Sequence, residues 1–316
     1  MTGVQTCALP IFTFLLARRV APPSYALLAA AIVALAPVAN QHALDADSHV
    51  AAAFFLTADL LALLRFAETK RIPTGLAAGL LLGVIPAIRY PEALAGVTVA
   101  AWLLWRVRPW WRTWPAVVGA LVPITALCVH NAAAYGAFWR TGYALTGEQT
   151  GFGLRYFLGH AVPYLQALGG QGLGLAFAFG IAGLAAMVAD ERRRAAGALL
   201  AGVAVPLILL YMAYYFGGGG PGGAGGNLRF LVPVFPLLAV AGAWLLGRIA
   251  HHLRGAGLAA VGAVAGVQLV TGLVGSAQTL ATARASLSAA TRVRSALEKE
   301  TPAGSVVVVE RQLAES

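Results

Sequence analysis

Two carboxylates, Asp45 and Asp47, stand two residues apart in the polar stretch 40–49. Acids at that spacing on a short tether can share one hard divalent cation, magnesium or manganese, through oxygen ligands; an ordinary solvated loop uses the same pair without a metal. Arg89 and Glu92 flank a Tyr90-Pro91 turn. The guanidinium there either pairs with Glu92 to close a hairpin or holds an anion such as a lipid phosphate. Arg229 opens the run Arg229-Phe230-Leu231-Val232-Pro233-Val234-Phe235-Pro236, where an arginine either snorkels to an interface or takes part in binding an anion. Asp59 lies within an apolar segment, where an unpaired charge is costly, and reads as a polar contact between helices, with a proton relay as the other role open to it. His130-Asn131, Trp139-Arg140 and His160 are candidate pocket residues without a spacing argument. The glycine-rich run 217–226 lacks the Gly-Lys-Ser/Thr of a phosphate loop and reads as a connection. Cys7 and Cys128 have no metal-knuckle spacing and imply no disulfide framework.

The elements that must position these residues are set by composition. Of 316 residues 59% are hydrophobic and 11% charged, with a mean hydropathy of +0.76, whereas soluble domains carry about 25% charged residues. A membrane helix needs ~20 apolar residues, and segments of that kind fall at 21–39, 50–66, 74–88, 91–105, 115–135, 171–189, 195–216, 229–248 and 256–275. The expected fold is all-α, a polytopic transmembrane helix bundle of about nine spans, with a partial one ending at Arg18-Arg19. Pro37, Pro86, Pro123, Pro206 and Pro233 lie inside or at the ends of these segments, as membrane helices tolerate. The segments 74–88 and 91–105 reach only ~22 Å each, short of a ~30 Å hydrocarbon layer, so the Arg89–Glu92 turn is expected to be recessed.

Charge gives the bundle a direction. With Arg18-Arg19 placed inside and the spans alternating, the short inner loops receive Arg65, Lys70, Arg71, Arg106, Arg108, Arg112, Arg192, Arg193, Arg194, Arg248 and Arg254 as well, against Glu68, Asp190 and Glu191. These loops then account for the whole net charge of +10, as the positive-inside rule requires. The basic balance is therefore a topology signal, and a nucleic-acid partner is excluded. Trp110, Trp111 and Trp114 read as an inner interfacial belt. The candidate site residues collect at the other, outer face, together with the segments 137–171 and 217–226 and a polar tail from Ser276. The stretch 305–310 (SVVVVE) reads as a strand. The organisation expected is residues 1–11 as an added segment, 12–275 as the bundle, and 276–316 as an outer-face tail opening a small soluble domain. Residues 1–11 (MTGVQTCALPI) resemble a translated sequencing adapter rather than a signal peptide, so the natural sequence is expected to begin near Phe12.

Several motifs fall in one order. Residues 15–19 (LLARR) precede an Ala-rich helix ending in Ala36-Pro37; residues 43–65 (ALDADSHVAAAFFLTADLLALLR) place acids before an aromatic helix; residues 79–93 (GLLLGVIPAIRYPEA) join a small-residue helix to an Arg; residues 229–236 (RFLVPVFP) start a late helix. In this order they resemble the GT-C superfamily of polyprenyl-phosphate-sugar-dependent membrane glycosyltransferases, which includes protein O-mannosyltransferases and aminoarabinose transferases. The resemblance runs from Phe12 to about Thr271. It implies a hexosyl- or pentosyltransferase moving a sugar from a polyprenyl-phosphate donor to a lipid, glycan or protein acceptor, in a bacterial inner membrane with the active face outward. It further implies that Asp47, and next Asp45, binds a divalent metal (Mg or Mn) or positions the phosphate. Arg89, Glu92 and Arg229 would form the lipid-phosphate and donor site. The family's principal catalytic acid would lie upstream of Phe12. The rival readings are a transporter or flippase, built from related halves with paired polar residues at midplane, and a non-catalytic membrane subunit.

Overall fold

The computed structural model describes residues 2–44, 47–147, 151–217 and 226–302, with residues 2–7, 254, 256 and 298 described by their backbone alone. Among them the chain is helical, apart from an isolated antiparallel bridge between Phe152 and Tyr214. The helices are α1 (Thr2–Ala17), α2 (Pro23–Ala34), α3 (Pro37–Leu44), α4 (Ser48–Thr69), α5 (Ile72–Ile88), α6 (Leu94–Arg106), α7 (Trp114–Tyr135), α8 (Tyr143–Thr146), α9 (Leu154–Ala167), α10 (Leu175–Ala189), α11 (Arg194–Met212) and α12 (Phe235–Glu300). α4 shows how local sequence sets its ends. The Asp47 carboxylate caps its N-terminus by accepting from the backbone N–H of His49 at 3.3 Å, and Lys70 stops it in the left-handed region at φ 54°. Its 22 residues rise ~33 Å, enough to cross the hydrocarbon layer. α1 runs unbroken across residue 11, so no structural boundary marks the junction read there.

The nine apolar segments all fall on helices, 21–39 across α2 and α3 and both 229–248 and 256–275 largely within α12, but among the described residues not every one is long enough to span by itself. Among the described residues five helices are long and apolar enough to cross a membrane, and seven if each of two bent pairs counts as one. Proline and glycine explain the difference. Pro37 opens α3 at 55° to α2, and Gly174, at φ +56°, separates Leu154–Gly172 from α10 at 116°. α5 and α6 are short, as their sequence segments are, and the turn between them is recessed: Arg89 is 7% exposed and Glu92 not at all.

Close helix packing relies on small residues, as expected where lipid removes the hydrophobic drive between helices. At the α5–α7 crossing a Cβ on Gly79 would stand 1.9 Å from the Ala116 carbonyl oxygen, and one on Gly119 2.3 Å from that of Leu76. α12 is helical throughout yet doubles back. The amide of Ala176 donates to Gln268 Oε1 at 3.2 Å, while the Ala176 carbonyl oxygen would lie 3.4 Å from a Cβ on Gly242. In a straight helix Gly242 and Gln268 would be ~39 Å apart. Val261 accordingly packs with Leu246 and Ala250, and the segments Leu228–Leu253 and Gly257–Leu297 are two candidate spans. The second continues helically past Ser276, where the sequence placed a polar tail, to Glu300. The expected strand at 305–310 lies outside the described residues.

The two ends of the bundle differ in kind. One end gathers the inner-loop charges: Arg19 pairs with Glu68, Lys70 Nζ donates to the Arg108 carbonyl at 3.3 Å, Arg193 to the Arg19 carbonyl at 3.0 Å, and Arg248 to Asp190 at 2.6 Å. The opposite end holds the candidate site.

Candidate functional site

Arg89 is placed by the end of α5, whose helix stops at its extended backbone (φ −150°, ψ 116°) before the Tyr90–Ala93 turn. Its Nε donates to Glu92 Oε1 at 2.8 Å, Nη1 to Ser48 Oγ at 3.3 Å and to His49 Nε2 at 3.0 Å, and Nη2 to Tyr211 Oη at 3.0 Å. Tyr211 in turn donates to Glu92 Oε1 at 2.8 Å. Since a guanidinium has no acceptor, His49 Nε2 accepts and the ring proton sits on Nδ1. Burial disfavours the Arg89 charge, but the adjacent Glu92 carboxylate outweighs it and holds Arg89 protonated beyond its usual range. Burial pushes Glu92 above the ordinary carboxylate value, and pairing with Arg89 only partly reverses this. Arg89 and Glu92 thus form an ion pair, reinforced by a tyrosine 122 residues away in sequence. Four of its five N–H groups are committed inside the protein.

Asp47 is equally committed. Its Oδ2 lies 3.1 Å from His42 Nδ1, and its Oδ1 takes the Ser48 hydroxyl and the His49 amide at 3.3 Å each. Burial raises its pKa, but the His42 hydrogen bond and the neighbouring His49 hold it well below the usual carboxylate range. Among the described residues no three His, Cys, Asp or Glu side chains converge on a point that could hold a metal. Asp45, the other acid of that pair, lies outside the described residues.

Arg229 is different. It opens the 3₁₀ turn Leu228–Val234 ahead of α12, its carbon Cζ lies 5.1 Å from the Phe230 ring centroid, and its Nε is buried without a hydrogen-bond partner. Phe230 stacks on Tyr211 at 5.2 Å and 14°, joining Arg229 to the Arg89 cluster. Arg229, Arg89, Asp47 and His49 line one cavity of about 770 Å³, with Tyr143, Phe152, Tyr214 and Tyr215 among its aromatic walls. This volume lies within the about 300–1,000 Å³ of ordinary ligand sites.

The sequence reading did not single out Ser48, His49, Tyr211 or Phe230 as site residues. Tyr211 leads an aromatic run, Tyr211, Tyr214, Tyr215 and Phe216, at the C-terminal end of α11, and that run is the available signal. Of the weaker candidates, Asn131 accepts from Tyr90 Oη at 3.0 Å, His160 Nδ1 lies 3.1 Å from the Tyr214 carbonyl, and His130 and Trp139 are exposed. Asp59 is wholly buried in α4, and neither carboxylate oxygen has a partner among the described residues.

Fold and site together define a multi-pass membrane protein with a polar, aromatic-walled cavity at one end of the bundle. Residues 4–131 match the family model of dolichyl-phosphate-mannose-protein mannosyltransferase. The chain is similar in structure to ArnT from Cupriavidus metallidurans bound to undecaprenyl phosphate, with a TM-score of 0.54 and 18% identity over 83% of this chain and 48% of that one. It is also similar to the oligosaccharyltransferase AglB from Archaeoglobus fulgidus in complex with an inhibitory peptide and a dolichol-phosphate, with a TM-score of 0.50 and 15% identity over 88% of this chain and 44% of that one. The chain thus spans about half the length of either structure. None of the curated proteins matches it in sequence. The family model covers less than half of the chain, and the two solved structures share its fold, in agreement with the fold that the sequence resemblance implies.

Proposed function

We propose that the chain is a membrane glycosyltransferase that takes its sugar from a polyprenyl-phosphate carrier, and that the 770 Å³ cavity receives the carrier's phosphate and sugar. The observation that carries this is Arg229. It is the arginine of the cavity whose Nε is buried with no hydrogen-bond partner among the described residues, and it sits on an aromatic platform at the end of the bundle opposite the inner-loop charges. When the sugar leaves, negative charge builds on the carrier phosphate, and a preplaced guanidinium in a partly dehydrated site stabilises it. Arg89 has another task. Bound to Glu92, Tyr211, Ser48 and His49, it holds α4, α5 and α11 together beneath the cavity and keeps the Phe230 platform in place. The acceptor, whether lipid, glycan or protein, would approach from the outer face of a bacterial inner membrane, the side opposite the basic loops. A divalent ion, magnesium or manganese, held by Asp45 and Asp47 would help to position the carrier phosphate.

The test is binding of undecaprenyl phosphate to the purified chain in nanodiscs, measured by native mass spectrometry. Arg229→Gln is expected to weaken it about 10- to 100-fold, since hydrogen bonds to a charged group contribute about 1.5–3 kcal/mol. Binding unchanged by Arg229→Gln would defeat the assignment.

A further inference from the structure

We propose that the charged end of the bundle binds an anionic phospholipid, its phosphate seated among Arg192, Arg193 and Arg248 and one acyl chain lying along the groove beside Trp244. A cavity of about 430 Å³ opens there between the α10–α11 connection and α12. Its lining holds three arginines and His251 against one acid, Asp190. That acid is already committed: Oδ2 takes Arg248 at 2.6 Å, and Oδ1 takes the backbone amides of Arg192 and Arg193 at 2.9 and 3.2 Å. Arg193 spends a donor on the uncharged carbonyl of Arg19, and the Arg192 guanidinium has no partner among the described residues. Two guanidinium charges therefore face the cavity with no carboxylate of their own. This separates the place from the rest of the basic end, where Arg19 is neutralised by Glu68.

A surplus of positive charge alone would be topology. The second observation is the shape beside it. Trp244, Arg248 and Asp190 also line an adjoining concavity of about 560 Å³, whose other walls include Leu245, Ile249 and Leu253. Leu253 is 59% exposed, so this wall faces the lipid side of the helix pair. Arg248 lies 5.5 Å over the Trp244 ring at the junction of the two. A basic pocket continuous with an apolar groove at a helix end matches the order of groups in a phospholipid: anionic head, interfacial backbone, hydrocarbon tail. A free phosphate would fill only the first.

The test titrates the full chain in neutral detergent with phosphatidylglycerol carrying brominated acyl chains and reads quenching of tryptophan fluorescence, with Trp244→Phe identifying the responding ring. Phosphatidylglycerol is expected to quench Trp244 at lower concentration than phosphatidylcholine with the same chains. Arg192→Gln, whose exposed side chain holds nothing else in place, should weaken the response about fivefold, and Arg192→Gln/Arg193→Gln about 25-fold, taking about 1 kcal/mol per cation. Arg229→Gln at the opposite end should leave it unchanged. Equal quenching by both lipids, or no effect of Arg192→Gln, would overturn the proposal. So would displacement by inorganic phosphate at the lipid's concentration, which would assign the pocket to a free anion, or loss of the signal in Arg229→Gln, which would move the lipid to the outer cavity.

Discussion

Arginine pairs with carboxylate at both ends of this bundle, and the surroundings make two different objects of the same chemistry. At the cavity end the side chains of Arg89 and Glu92 are 8% and 0% exposed and share Tyr211 as a third member. At the charged end Arg248 and Asp190 are 48% and 16% exposed. The exposed pair trades one hydrated state for another and contributes little. The buried pair has already lost its water, so each partner depends on the other to remain ionised. The charged end therefore keeps cations that solvent can reach, while the buried pair is a fixed frame beside Arg229.

The largest expected effect comes from breaking the frame on one side. Arg89→Ala strands Glu92 without its charge partner and should cost about 3–5 kcal/mol of stability, read by denaturant unfolding of the chain in mixed micelles. Arg89→Met/Glu92→Met removes both charges and should recover most of that loss. Equal damage in the single and double variants would mean that the pair is not the reason. Tyr211→Phe removes one donor to Glu92 and one acceptor for Arg89 and should cost about 1.5–3 kcal/mol by the same measurement.

A smaller effect follows from pH. Glu92 has a raised pKa in the folded chain, so the native state holds its proton to higher pH than the unfolded state does. Its contribution is present below the usual carboxylate value and is lost as pH rises through the raised one. Asp47 has the opposite sign: its lowered pKa adds stability above the usual carboxylate range, lost as pH falls toward its folded value. Unfolding midpoints followed upward from about pH 4 should therefore show a decline in the parent chain that flattens in Glu92→Gln and persists in Asp47→Asn. The smallest effect belongs to the exposed pair. Arg248→Gln should change stability by about 0–1 kcal/mol, and by less when salt is raised to about 0.5 M. A loss as large as that of Arg89→Ala would erase the distinction between the two ends.

Much of this contrast is written along the chain. The recess of the Arg89–Glu92 turn follows from two helices too short to span, and the gathering of Arg19, Arg193 and Arg248 at one end follows from the alternation of apolar runs with basic loops. The site was legible in part. Arg89, Glu92, Asp47 and Arg229 do line or underlie one cavity, but their roles were not readable from type and spacing. The Asp45-Asp47 spacing suggests a metal ligand; it does not tell that the Asp47 oxygens also meet His42, Ser48 and the start of α4. Tyr211 had no local motif at all.

Hydropathy and charge are one-dimensional properties that a bilayer reads directly, because each segment is sorted by its own transfer free energy. The sequence by itself therefore determined that the chain is a multi-pass membrane protein and where its apolar helical segments lie. Which acid meets which base is a matter of packing between segments far apart in the chain. Only the tertiary structure could bring Tyr211 to Glu92 across 119 residues, fold α12 back so that Gly242 and Gln268 meet the same residue, and leave the Arg229 Nε buried beside the cavity with no hydrogen-bond partner among the described residues.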